Sequence, residues 1–140
     1  MDLRVLFVSP YLDDAVAISS MLRAVGIRCE HVLGCREACH RLERASWDAV
    51  LTEASLSDGD WKAILACSFR LDCPPPVVVT HYAADDQLWA EALNLGCYDV
   101  LAQPFDRCEV QRILQLACSQ PAGRAAASEL PPLRAFSAAS

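Results

Sequence analysis

Two apolar runs in this sequence end on side chains that could do chemistry. Residues 48–53 read Asp-Ala-Val-Leu-Thr-Glu, and Glu53 then leads into a loop rich in Ser, Asp and Gly. Thr80 ends a second run that contains three consecutive valines. A carboxylate can act as a nucleophile or bind a hard cation, and a hydroxyl can bind an anion. Glu53 and Thr80 are therefore the first candidates for a functional site.

His81 and Tyr82 follow Thr80 directly and have the residue types of a catalytic base and acid. Catalysis by such a pair also needs a nucleophile that is oriented by a base, and none can be assembled from the nearby serines and threonines on spacing alone. Side chains of this kind on a loop more often bind or pack. We therefore predict that the protein is not an enzyme and has no catalytic residues.

The eight cysteines are numerous for a chain of 140 residues, yet no two of them form a Cys-x-x-Cys pair. The densest group is Cys35, Cys39 and His40, which offers three ligands where a zinc site requires four. We predict instead that the cysteines act as small buried apolar side chains in a reducing compartment.

The net charge of −6 and the hydrophobic content of 54% limit the class of protein. An acidic chain without a run of Lys or Arg lacks the basic surface that binds nucleic acid. No apolar stretch approaches the roughly 18 residues that span a bilayer, and the N-terminus shows no signal-peptide pattern. We expect a cytoplasmic protein that binds neither nucleic acid nor membranes.

Five apolar runs of strand length alternate with helical patterns along the chain. Predicted strands cover 4–8, 28–33, 49–53, 77–80 and 98–102, and predicted helices cover 12–25, 35–44, 61–69, 85–95 and a last segment that starts at the capping box Asp106-x-x-Glu109. This alternation predicts an α/β, flavodoxin-like (βα)5 fold, with a doubly wound parallel sheet in strand order 2-1-3-4-5. We assign residues 1–119 to this single domain.

The ligand crevice of such a sheet lies at the carboxyl ends of the strands, beside the switch point between strands 1 and 3. Topology therefore predicts that Ser9, Pro10, Glu53 and Thr80 lie together. The loop after strand 1 lacks the glycines and the run of hydroxyls that cradle a phosphate, which argues against a flavin site. A small-ligand-binding, flavodoxin-like protein stays as an alternative.

Residues 120–140 are rich in Ala, Ser and Pro and have no periodic apolar spacing. This composition predicts a flexible C-terminal tail. Leu130, Leu133 and Phe136 leave open a second possibility, in which the tail docks on the domain or on a partner.

Four segments resemble, in order and spacing, the response-regulator receiver domains of the CheY-like kind. They are Val5-Leu-Phe-Val8, Asp48-Ala-Val-Leu-Thr-Glu53 before Leu56-Ser-Asp-Gly-Asp60, Pro76-Val-Val-Val-Thr80, and residues 92–105 with Gly96 eight residues before Pro104. The resemblance covers residues 3 to about 119. It implies a cis peptide bond between Gln103 and Pro104.

The resemblance also implies roles for the candidate positions. In this family two acidic residues after strand 1 and an acceptor aspartate at the end of strand 3 hold Mg²⁺. A lysine in the last loop and a hydroxyl at the end of strand 4 bind the phosphoryl oxygens. In this sequence Ser9 and Pro10 stand at the positions of the acidic pair, Glu53 stands at the acceptor position and Gln103 stands at the lysine position. Thr80 keeps the switch hydroxyl.

These replacements predict a degenerate receiver. Phosphoryl transfer depends on positioning and charge neutralisation, so we expect loss of Mg²⁺ binding, no cofactor and no phosphorylation. Asp13 and Asp14 lie near the crevice, but they suit the start of the first helix better than a rescued metal site. The switch aromatic of strand 5 falls on Val100.

Glu53 has two interpretations. Its longer carboxylate could imitate a phosphorylated state, or it could be a replacement that follows the loss of the metal site. We favour the second interpretation, because imitation also requires a cation such as the absent lysine.

We therefore predict a pseudo-receiver of a two-component or phosphorelay system that binds a histidine kinase, an effector or a regulator. The surface implied by the family is helix 4, strand 5 and helix 5, with Leu88, Trp89 and Tyr98. Trp89 lies off the apolar stripe of its helix, which leaves an exposed anchor and partial burial equally open. Homodimerisation through this face and a still responsive receiver with an atypical site are the alternatives.

Overall fold

The computed structural model describes residues 3–120 of the chain. The predicted tail, with Leu130, Leu133 and Phe136, lies outside the described residues apart from Gln120. The elements in chain order are β1 Leu3–Val8, α1 Leu12–Arg23, β2 Ile27–Val32, α2 Cys35–Arg44, β3 Ala49–Glu53, β4 Ser55–Leu56, β5 Gly59–Asp60, α3 Trp61–Phe69, β6 Val77–His81, α4 Asp86–Leu95, β7 Asp99–Ala102 and α5 Arg107–Cys118.

Five of the strands form a parallel sheet in the order β2-β1-β3-β6-β7. This is the predicted order 2-1-3-4-5, because β4 and β5 form a separate two-stranded hairpin in the connection between β3 and α3. The predicted fold class is confirmed. The hairpin itself was not predicted, since strands of two residues have no detectable apolar period.

Helices cover both faces of the sheet and create two apolar cores. Val5 and Phe7 of β1 contribute to a core that also contains residues of α1 and α5. Leu6 and Val8 contribute to the opposite core, with residues of α2, α3 and α4. This alternation is the two-residue period of a strand that is buried on both faces. No helix within residues 3–120 is long and apolar enough to cross a membrane.

The sequence pattern predicts that Leu88, Ala92 and Leu95 share the inward face of α4, and the structure differs from this prediction at Leu95. Ala92 is fully buried, but Leu95 is 47% exposed rather than inward-facing. Leu95 lies in the last turn, directly before Gly96, whose φ of 111° turns the chain away from the helix. A side chain at Gly96 would be strained by this φ and would also meet the ring of Phe69, since an added Cβ would lie 2.8 Å from it.

The cysteines are not all thiols. Cys39 of α2 and Cys67 of α3 form a disulfide with their Cα atoms 5.8 Å apart. The expectation of eight reduced cysteines was therefore wrong for this pair, because packing of the two helices brings together residues that lie 28 apart in the sequence. The other six are free, and Cys35, Cys97 and Cys118 among them are buried.

Candidate functional site

The carboxyl ends of the central strands bring three of the predicted residues to one edge of the sheet. Glu53 and Thr80 are register partners at the ends of β3 and β6. Val8 pairs with Thr52 on the other side of β3, so Ser9 follows β1 at the same level. All of these strand-end residues are buried.

Gln103 joins Glu53 and Thr80 at the centre of this edge. Its amide Nε2 donates one hydrogen bond to Glu53 Oε2 at 3.0 Å and a second to Thr80 Oγ1 at 3.2 Å. The Thr80 hydroxyl donates in turn to the carbonyl oxygen of Leu101 at 2.7 Å. An amide nitrogen carries two hydrogens, so one side chain satisfies both acceptors. We call this set of contacts the Gln103 bridge; the peptide bond from Gln103 to Pro104 is cis.

The Glu53 side chain is a carboxyl group in a buried position, with 3% of its surface exposed. Burial raises the pKa of this carboxyl above its ordinary value, while the hydrogen bond from Gln103 and the charge of His81 act in the opposite direction. The charge of Asp14 adds to the increase. Glu53 thus favours the neutral acid more than an exposed glutamate does.

Ser9 and Pro10 present no carboxylate to the site. The Ser9 hydroxyl accepts a hydrogen bond from the backbone N–H of Tyr11 at 3.0 Å, and the Ser9 carbonyl oxygen accepts one from His31 Nε2 at 2.7 Å. Pro10 is exposed, and its side chain has no polar atom. The polar atoms of Ser9 therefore fix the path of the loop after β1.

Aspartates of the β3–α3 connection, which we define as residues 54–60, act as helix caps. Asp58 accepts backbone hydrogen bonds from Cys35 at 2.7 Å and from Arg36 at 3.0 Å, at the first turn of α2. The bonds from Arg36 and Cys35 hold the pKa of Asp58 below its ordinary value. Gly34 leaves the space for this contact, since a Cβ there would lie 2.6 Å from Asp58 Oδ1. Asp60 is the N-cap of α3, so the connection is fixed to both helices.

Known proteins resemble this chain in structure, whereas comparisons of sequence find no match. No protein-family model and no curated protein matches the sequence. Among solved structures, the receiver domain of a sensor histidine kinase from Pseudomonas aeruginosa, with a magnesium ion in its active site cleft, is 27% identical. Its TM-score is 0.75, with 86% of this chain and 100% of that chain covered.

Two further structures agree. A two-component response regulator from Clostridium difficile is 27% identical with a TM-score of 0.70, and 81% of this chain and 97% of that chain are covered. The receiver domain of a Francisella response regulator is 18% identical with a TM-score of 0.76, over 84% and 97% of the two chains. The chain has the fold of response-regulator receiver domains.

The receiver fold gives the other predicted positions their surroundings. Val100 of β7 is buried in the core shared with α3 and α4. Leu88 and Trp89 of α4 are partly buried and pack against that same core, whereas Tyr98 packs partly buried against the opposite one. Of the two alternatives for Trp89, the structure shows partial burial.

The donor set of this receiver crevice does not fit Mg²⁺. A magnesium ion needs an octahedral set of oxygen ligands, usually with carboxylates among them. The two positions after β1 carry no carboxylate, and one carboxyl oxygen of Glu53 is hydrogen-bonded to Gln103. The nearby aspartates, Asp13 and Asp14, lie in the first turn of α1. Within residues 3–120, no three side chains of His, Cys, Asp or Glu converge in a manner that could hold a metal.

The sequence predicts Gln103 only as the position of the missing lysine. Its hydrogen bonds to Glu53 and Thr80 were not predicted. The signal that could have found the bridge is the residue type: an amide offers two donors, and the topology sets two acceptors, Glu53 and Thr80, side by side.

Proposed function

We propose that this protein is a receiver-like module of a two-component or phosphorelay system that does not accept a phosphoryl group and acts by binding another protein. The observation that carries the proposal is the Gln103 bridge. A neutral amide holds the acceptor position, Glu53, and the switch hydroxyl, Thr80, at 3.0 and 3.2 Å. The bridge occupies the groups that phosphorylation would require.

The electrostatics of the site argue against phosphoryl transfer. A carboxylate must be ionised to attack phosphorus, and cations must neutralise the charge of the transferred group. Burial raises the pKa of Glu53, which disfavours the ionised nucleophile. An amide has replaced the lysine, and the metal-binding carboxylates are absent. We infer that both Mg²⁺ binding and phosphorylation are lost.

The bridge also bears on the two interpretations of Glu53. Imitation of a phosphorylated state requires a full negative charge paired with a cation. The observed partner is neutral, and the carboxyl is shifted toward its neutral form. We therefore assign Glu53 a positioning role, in which it anchors Gln103 and thereby keeps the Thr80 hydroxyl directed at Leu101.

The decisive experiment is incubation of the full chain with a small phosphodonor and Mg²⁺, followed by intact-mass measurement. We expect no added phosphoryl group, while a phosphorylatable receiver domain in the same reaction gains one. A variant that carries Ser9→Asp, Pro10→Asp, Glu53→Asp and Gln103→Lys tests whether the replaced groups account for the loss. Phosphorylation of the native chain that Glu53→Gln removes would instead establish a responsive receiver with an atypical site.

Binding of a partner is expected on the face formed by α4, β7 and α5. Exposed apolar side chains occur on two of these elements, with Leu95 of α4 exposed by 47% and Leu116 of α5 by 44%. The protein has a second exposed apolar pair on α1, namely Leu12 at 67% and Val16 at 63%. These two pairs offer matched variants for locating the contact.

Sedimentation velocity and titration with candidate histidine kinases, effectors and regulators test this assignment. Leu95→Ser should lower the affinity for a partner that binds the α4–β7–α5 face, or reduce homodimerisation through this face. Leu12→Ser should leave the same binding unchanged. The reverse pattern would move the contact to α1.

A further inference from the structure

The disulfide between Cys39 and Cys67 lies near the surface and joins α2 to α3. Both cysteines are partly exposed, in contrast to the fully buried side chains of the two cores. A groove that is open to solvent adjoins the Cys39 side, lined by Arg36, Glu37, Cys39, His40 and Glu43. A small molecule can therefore reach this bond from the α2 side without unfolding of the domain.

A cationic side chain lies next to the other sulfur. Arg70 Nη2 is 3.2 Å from Cys67 Sγ. A guanidinium at this distance stabilises a thiolate more than a thiol, and the more stable thiolate leaves faster in thiol–disulfide exchange. The two sulfurs thus have different surroundings: Cys39 borders the open groove, and Cys67 lies beside the guanidinium that makes it the better leaving group.

The remaining cysteines do not combine solvent exposure with a disulfide bond. Burial is the main cause that raises the pKa of four of these thiols, to about 11 for Cys35 and to about 12 for Cys29, Cys97 and Cys118. Such thiols form few thiolates at neutral pH. Cys73 and Cys108 are exposed thiols without a disulfide partner. Among the described residues, the bond between α2 and α3 is therefore the place where an intramolecular disulfide can open and re-form.

The same two helices hold the β3–α3 connection beside Glu53. The first turn of α2, at Cys35 and Arg36, is bonded to Asp58, and the first turn of α3 is capped by Asp60. Cys39 follows Cys35 by about one helical turn. A closed ring is therefore formed by the β3–α3 connection, α2, the disulfide and α3. Reduction of the disulfide removes the covalent link between α2 and α3.

We propose that Cys39–Cys67 is a reversible thiol–disulfide site, which exchanges with a low-molecular-weight thiol–disulfide couple such as glutathione and sets how firmly the β3–α3 connection is held. This inference does not rest on the signalling role proposed above. It concerns a redox site on α2 and α3, which is separate from the Gln103 bridge.

The exchange balances in two steps. A thiolate of the small thiol attacks Cys39 Sγ, the S–S bond breaks, and Cys67 leaves as a thiolate beside Arg70. A second small thiolate then attacks the sulfur of the small thiol in the mixed disulfide, which releases Cys39 as a thiolate. The protons lost by the two small thiols return to the two cysteines, and the small disulfide carries away the oxidising equivalents.

A glutathione redox series on the folded chain tests the site, with alkylation of free thiols and intact-mass measurement as the readout. The background carries Cys73→Ser and Cys108→Ser, so that the exposed single thiols do not contribute. We expect two additional alkylated thiols under reducing conditions and their loss when the oxidised couple is restored. Opening of the bond only after denaturant is added would overturn the proposal.

Arg70→Gln tests the chemical asymmetry, with Arg44→Gln at the exposed end of α2 as the matched control. Loss of the guanidinium should slow reduction by about threefold, because the leaving thiolate of Cys67 loses its stabilising cation. The control should keep the native rate. Equal rates for the native chain and Arg70→Gln would show that Cys67 is not activated.

Hydrogen exchange measures the link to the β3–α3 connection. Amides of residues 55–60 and of the first turn of α2 should exchange faster in the reduced chain and in the Cys39→Ser/Cys67→Ser variant, while circular dichroism confirms that both remain folded. Unchanged exchange in this segment would overturn the coupling. The phosphodonor experiment is independent of either outcome.

Discussion

Gln103 Nε2 donates a hydrogen bond to Glu53 Oε2 over 3.0 Å, which gives a buried carboxyl group a neutral partner. A lysine in this place would favour the ionised carboxylate through its charge. An amide supplies the same donor without the charge, so burial dominates and the pKa of Glu53 rises. The hydrogen bond from Gln103 thus satisfies the buried carboxyl of Glu53 without a charged partner.

The first prediction concerns Glu53 and pH. The folded-state pKa is raised above the ordinary value of 4.5. A group shifted in this direction stabilises the fold below its unfolded pKa, and that contribution is lost as pH rises through the folded pKa. Glu53→Gln keeps an acceptor for Gln103 and cannot ionise. It should therefore be more stable than the native chain at neutral pH, with the difference shrinking in acid.

Urea unfolding across a pH series measures this difference in the free energy of unfolding. Glu43→Gln, a change at an exposed glutamate of α2, shows what the loss of one surface carboxylate does by itself. A stability gain of Glu53→Gln that is larger in acid than at neutral pH would contradict the raised pKa.

The second prediction has the opposite sign and concerns Asp58. Hydrogen bonds from Arg36 and Cys35 lower the pKa of this cap. A group of this kind stabilises the fold above its unfolded pKa, and the effect is lost as pH falls through the folded pKa. Asp58→Asn should thus lower the urea midpoint at neutral pH and have little effect in acid. The exposed Asp72→Asn is the control, and equal midpoints at neutral pH would refute the capping role.

The sheet could be predicted because its causes are local in the sequence. The run Val77-Val-Val, the helix stop at Gly96 and the strand that ends on Glu53 each mark one element, and the topology rules for parallel sheets then leave few orders to choose from. From that order alone it follows that Glu53 and Thr80 lie side by side.

Contacts between distant side chains could not be predicted in the same way. The caps by Asp58 join residues 22 and 23 apart, and the Cys39–Cys67 bond joins residues 28 apart. They depend on how α2 lies against α3 and the hairpin, which no periodicity encodes. Gln103 is similar, since its role depends on distances to two acceptors rather than on its own neighbours in sequence.

The third prediction concerns the stability contributed by the disulfide. The bond closes a loop with a sequence separation of 28. A cross-link over a loop of this length stabilises by about 3.6 kcal/mol, mainly by limiting the unfolded chain. Reduction of the native chain, or Cys39→Ser/Cys67→Ser, should lower the free energy of unfolding by about this amount in urea. Cys73→Ser should be neutral, and equal midpoints for oxidised and reduced chains would exclude the effect.

The fourth prediction is energetic coupling within the Gln103 bridge. Thr80→Val leaves an amide hydrogen of Gln103 without its acceptor, and Gln103→Leu leaves Glu53 without its donor; each should cost about 1–3 kcal/mol in urea unfolding. Because both changes break one network, the double variant should cost less than the two single costs together, by at least about 0.5 kcal/mol. Gln111→Leu breaks a separate bond between α5 and α1, so its cost should add to that of Thr80→Val within about 0.5 kcal/mol. Additive costs for the first pair would mean that the amide does not bridge the two groups in solution.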